Sequence, residues 1–165
     1  VFINTISALC KFPKLIQDKF RIKEYNDYGY YEVILFIDDE WQIIPLDDYF
    51  PVYNKRDVNK NYPFKFCKPS GNGDQLWCCL LEKAFAKIRG NYSKIGIGGS
   101  PDEAFDVLTD AFSETEEIPK IELVRGKAKQ DDPFWEKLLL YQEKKYIIDS
   151  IGRIKYIPRI KKNIS

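Results

Sequence analysis

The spacing of apolar residues changes several times along the chain, and each change marks an element. Phe2, Ile3, Ile6, Leu9 and Cys10 recur at helical intervals, which predicts a helix over residues 2–10 with one buried face. Pro13 marks a break, and Leu15, Ile16 and Phe20 suggest a short second helix. Residues 29–37 are dense in aromatic and β-branched side chains and predict a strand. Asp38, Asp39 and Glu40 supply a tight turn, and residues 41–46 return as the second strand of a hairpin. Residues 51–75 contain Pro51, Pro63, Pro69, Gly71 and Gly73 and predict a long loop.

The strongest helical signal covers residues 75–89. Leu76, Trp77, Leu80, Leu81, Ala84, Phe85 and Ile88 share one face there, and Gly90 stops the run. Ser100, Pro101, Asp102 and Glu103 combine an N-cap, a first-turn proline and an early acid, opening a helix to about Phe112. Asp131, Asp132 and Pro133 cap another, running through Trp135, Leu138, Leu139 and Leu140 to about residue 143. Residues 146–151 and 154–160 are predicted strands. The sum is one α+β domain, mostly helical, with a small β-hairpin.

Composition narrows the picture. A length of 165 residues with 44% hydrophobic side chains supports one packed domain. Twenty-six basic residues face 25 acidic ones, so the net charge of +1 gives no electrostatic reason for a nucleic-acid partner. Apolar runs are strand length, far short of the roughly 18–20 residues of a membrane span. No signal peptide is visible, and a start at Val1 with no Met anywhere predicts an internal piece of a longer protein. The four cysteines, Cys10, Cys67, Cys78 and Cys79, show no C-x-x-C spacing, and the chain has no His, which argues against a zinc site. Cys78 and Cys79 lie inside an apolar helical run, so buried, reduced packing thiols are expected, and with them a reducing, cytoplasmic compartment.

Two other features carry little chemistry. The glycines at 96, 98 and 99 match neither the P-loop nor the dinucleotide-binding spacing, and they follow a helix rather than a strand. The acid pairs Asp38/Asp39, Asp47/Asp48 and Glu116/Glu117 have the character of solvated turn and cap residues.

One constellation is far more specific. The string from Trp77 through Leu80, Leu81, Glu82, Lys83, Ala84, Phe85, Ala86 and Lys87 to Gly90 and Tyr92 closely resembles the W-x-x-L-L-E-K-A-Y-A-K-x-x-G-x-Y segment of the calpain-type cysteine protease core. Glu40-Trp41, then Asp47-Asp48 before Pro51, resemble the family hairpin at equal spacing. Gly98 and Gly99, then Glu103-Ala104 and Leu108-Thr109, resemble its G-G…E-A-x-x-x-L-T-G-G segment, and Phe134 to Leu139 its L-W-x-L-L helix.

The resemblance implies the first lobe of a papain-like protease core over residues 1–151, with residues 152–165 beginning the second lobe or a linker. It places the family nucleophile one residue before Val1, and a catalytic His and Asn in the second lobe, so no catalytic residue is expected within this chain. Gly98 and Gly99 are the implied wall of a substrate groove. No metal site is expected beyond weak calcium candidates: Gln75 stands where the family carries a ligand Glu, with Asp74 beside it. The family's T-G-G reads Thr109-Asp110-Ala111, and glycines of its next strand are replaced by Lys144 and Ile148.

Two functions follow as expectations. One is a structural, protein-interaction module without catalytic Cys or His, in a larger cytoskeletal or ciliary protein, with protein partners and neither nucleic acid nor membrane. The alternative is part of an active calcium-dependent cysteine endopeptidase whose nucleophile, His and Asn lie outside this chain.

Overall fold

A computed structural model describes residues 2–53, 64–69, 75–96, 100–112 and 133–148. Helix α1 (Phe2–Leu9) turns Phe2, Ile6 and Leu9 to one side, and all three are buried. Pro13 does not merely break that helix; it opens α2 (Pro13–Gln17), where its fixed φ suits a first turn.

Strands β1 (Tyr30–Ile37) and β2 (Glu40–Asp47) pair antiparallel from Tyr30↔Asp47 to Ile37↔Glu40. Their two-residue turn, Asp38 and Asp39, takes φ values of 52° and 62°, the left-handed pair that matches strand twist. Alternation buries Tyr31, Val33 and Leu35 from β1 and Ile44 and Leu46 from β2. Residues after α2 add a short third row: the Ile34 N–H donates to the Lys19 carbonyl at 2.8 Å, and the Arg21 N–H to the Glu32 carbonyl at 3.1 Å.

Helix α3 (Trp77–Ile88) lies against this hairpin and buries Leu80, Leu81, Ala84 and Phe85, with Trp77 and Ile88 half-buried at the margins of the stripe. Phe85 stacks on Phe2, ring centroids 4.2 Å apart, which joins α3 to α1. Two lysines tie α3 to β2. Lys83 Nζ donates to Asp47 Oδ1 at 2.5 Å and to the Tyr49 carbonyl at 2.6 Å, and Lys87 Nζ to the Pro45 carbonyl at 2.6 Å. Gly90, at φ +97°, ends the helix in a conformation that side chains resist.

Short α4 (Tyr92–Gly96) leads on to α5 (Pro101–Thr109), which adds Ala104, Val107 and Leu108 to the core. The expected run to Phe112 stops at Thr109, because Asp110 takes the left-handed conformation at φ 54°; Phe112 is 96% exposed. The α5 start has its proline and acids, but Ser100 Oγ donates to Asp102 Oδ2 at 2.9 Å instead of capping the backbone. Helix α6 (Pro133–Glu143) forms as expected, yet none of its residues is buried. Residues 146–148 are not the start of a strand: Lys145, at φ 59°, ends α6, and no partner strand reaches them among the described residues. The rest of that expected strand, and the one at 154–160, lie outside the described residues.

The expectation of buried, reduced thiols at Cys78 and Cys79 holds at Cys79 and fails at Cys78. Cys67 and Cys78 form a disulfide, Cα–Cα 6.4 Å, while Cys79 is free and buried and Cys10 free and exposed. Neighbours on a helix point about 100° apart, so only one of Cys78 and Cys79 can enter the core. Cys79 is the buried one, and Cys78 is half-buried and bonded to Cys67 in the segment at 64–69.

Candidate functional site

The thiols are the natural place to look for chemistry, and each is placed by a different element. Cys10 directly follows α1, at the rim of a cleft of about 670 Å³ that Phe20, Tyr31, Gln75 and Trp77 also line. Cys79 projects from the first turn of α3 and donates to the Cys67 carbonyl at 3.3 Å. Burial pushes its thiol up to about 11, and the charge of nearby Glu82 pushes in the same direction. A thiolate nucleophile needs the opposite environment, a nearby cation or imidazole that lowers the thiol. Cys67 and Cys78 are occupied with each other.

Glu82 is the unexpected member of this group. It is 5% exposed on α3, and its Oε2 accepts the Cys67 N–H at 2.7 Å. Burial raises the carboxyl above its ordinary value, with the Cys67 hydrogen bond opposing. Tyr92 stacks on Phe66 at 4.6 Å, and burial, then the charge of Glu82, raises its phenol. The sequence offered one signal for Glu82: its place at the edge of the apolar stripe of α3.

Of the residues singled out in the sequence, Gly98, Gly99 and Asp74 lie outside the described residues. Gln75 is exposed two residues before α3, on the cleft that Cys10 borders. Among the described residues no three His, Cys, Asp or Glu side chains come together as a metal site would require. No helix among them is long and apolar enough to cross a membrane.

An α+β lobe built round one amphipathic helix, holding thiols but no imidazole, is therefore the class of structure present. The chain belongs to the calpain family of cysteine proteases, whose family model matches residues 1–163. It is similar to the calpain-type cysteine protease DEK1 of Zea mays, 26% identical over 155 residues, 89% of this chain and 6% of that protein. It is also similar to calpain-13 of Rattus norvegicus, 30% identical over 109 residues, 64% of this chain and 15% of that protein. The calpain-1 catalytic subunit of Homo sapiens is 32% identical over 96 residues, 58% of this chain and 12% of that protein. The chain thus spans at most 15% of the length of these relatives.

Proposed function

We propose that this chain is a non-catalytic calpain-family lobe, a structural and protein-binding module that cuts no peptide bond on its own. The observation that carries the reading is the absence of any His among the 165 residues. A thiol protease needs an imidazole within hydrogen-bond reach to form and hold the thiolate. The disposition of the cysteines supports the same reading: two are bonded, one is buried with its thiol held up, and only Cys10 is exposed. Gly98 and Gly99 would serve this role by accepting an extended peptide through backbone hydrogen bonds. Calcium is at most a weak ligand here, since Gln75 offers a neutral oxygen where a carboxylate is wanted. Protein partners in a cytoplasmic, cytoskeletal or axonemal assembly belong to the same proposal.

A second reading makes the chain one part of an active calcium-dependent endopeptidase. It is favoured by the breadth of the family match and by the small share of each relative that the chain covers, which leaves room for a nucleophile, His and Asn elsewhere. The test is incubation of the purified chain with a fluorogenic calpain peptide, with and without calcium, repeated after cysteine alkylation. No turnover is expected. Turnover abolished by alkylation would overturn the non-catalytic reading.

A further inference from the structure

Cys67 is gripped at three points by a single helix. Its N–H donates to Glu82 Oε2 at 2.7 Å, its carbonyl accepts from Cys79 Sγ at 3.3 Å, and its sulfur is bonded to that of Cys78. Its neighbours are fastened too: Phe66 stacks on Tyr92 at 4.6 Å, and the Lys65 N–H donates to the Pro51 carbonyl at 3.0 Å. These non-covalent contacts hold the Cys67 backbone against α3 beside the disulfide, whose Cα atoms lie 6.4 Å apart, within the usual range. The pair is therefore positioned to open and close with its surroundings held in place. Both residues are half-buried, so a small reagent reaches them, whereas Cys79 is 2% exposed and engaged with the Cys67 carbonyl.

We propose that Cys67 and Cys78 form a reversible thiol–disulfide site, closed by a small disulfide of the glutathione type and opened by its thiol, which locks residues 64–69 onto α3. In closing, the thiolate of one cysteine attacks a sulfur of the small disulfide, giving a mixed disulfide and one small thiolate. The second cysteine's thiolate then attacks the protein sulfur of that mixed disulfide and expels the second small thiolate. The two cysteines lose two protons and two electrons, and the small disulfide gains both as two thiols. Opening is the reverse, driven by two small thiols. The burial that holds the Cys79 thiol at about 11 keeps it protonated and out of the exchange. Closure ties residues 64–69 covalently to α3, and the hydrogen-bonded Val52↔Phe64 bridge extends that tie to the exit of the hairpin, whether or not the lobe takes part in catalysis.

The test equilibrates the full chain in glutathione buffers from reducing to oxidising, quenches with acid and counts free thiols by alkylation and intact mass. Four alkylated thiols are expected at the reducing end and two at the oxidising end, in one reversible transition. Unreduced peptide mapping should place the link at Cys67–Cys78. The thermal midpoint of the oxidised form should rise by about 5–10 °C, as a short closed loop implies, and Cys67→Ser should abolish this redox dependence. Cys78→Ser reads the same effect if the first variant fails to fold. Four free thiols in every buffer, a link through Cys10 or Cys79, or a bond that survives the most reducing buffer would each overturn the proposal.

Discussion

Helices α3 and α6 are both plain in the sequence, and their fates differ. On a helix of about 100° per residue, Trp77, Leu80, Leu81, Ala84, Phe85 and Ile88 fall within an arc of roughly 140°. Phe134, Trp135, Leu138, Leu139, Leu140 and Tyr141 spread over roughly 260°. The first helix buries its stripe against the hairpin and α1. The second leaves Trp135, Leu139 and Leu140 at 54%, 48% and 44% exposure. Apolar content made both helices legible. The large apolar side chains of α3 share one face and pack, with Cys79, Glu82 and Ala86 buried outside that arc, whereas those of α6 are spread and none is buried.

The sharpest way to break this comparison is a pair of truncations read by urea unfolding. Leu81→Ala should cost about 2–5 kcal/mol, because a side chain only 1% exposed leaves a cavity behind. Leu139→Ala should cost less than about 0.5 kcal/mol, as a surface change does. Equal costs would mean that α6 is packed as firmly as α3.

A second difference lies at the edge of the α3 stripe, in Glu82. Burial raises its carboxyl above the ordinary 4.5 in the folded chain. The folded state then holds the proton more tightly than the unfolded chain. That stabilising contribution is complete below the ordinary value and is lost as pH rises from it through the raised folded value. Relative to Glu82→Gln, which cannot titrate, the wild type should lose stability across that window in urea midpoints taken from pH 4 to 7. The reverse trend would show that the ionic hydrogen bond to the Cys67 N–H outweighs burial.

The helix ends give the smallest effect. Gly90 closes α3 at φ +97°, whereas Lys145 follows α6 at φ 59°. Gly90→Ala should cost about 1 kcal/mol, and Lys145→Gly should add about 0.5–1 kcal/mol, both through the left-handed backbone. Matching losses at both sites would deny that the two ends differ in strain.

Much of the fold was legible because periodicity is local information. The hairpin lies within a residue of its expected bounds, with Glu40 in β2 rather than in the turn, and α1, α2, α3 and α6 appear within a few residues of theirs. What the sequence hid is long-range. The Cys67–Cys78 bond depends on how residues 64–69 fall back on α3, and no spacing rule encodes that. Glu82 looked like an ordinary polar residue of the family motif, and only the docking of Cys67 gives it a buried partner. Asp110 ended α5 early by a backbone conformation that its residue type tolerates but does not announce. Of the candidate groove and calcium positions, Gln75 alone falls among the described residues.

The central claim is that no thiol of this chain is activated, and the pH dependence of alkylation tests it most directly. Without an imidazole to hold a thiolate, iodoacetamide should react slowly at pH 5, with a rate that climbs about tenfold per pH unit towards pH 7. The chain is first reduced to open Cys67–Cys78, and mass spectrometry of the alkylated peptides assigns each rate to Cys10, Cys67, Cys78 or Cys79. A cysteine alkylated as fast at pH 5 as at pH 7 would reveal a thiolate held by an ion-pair partner and contradict the account.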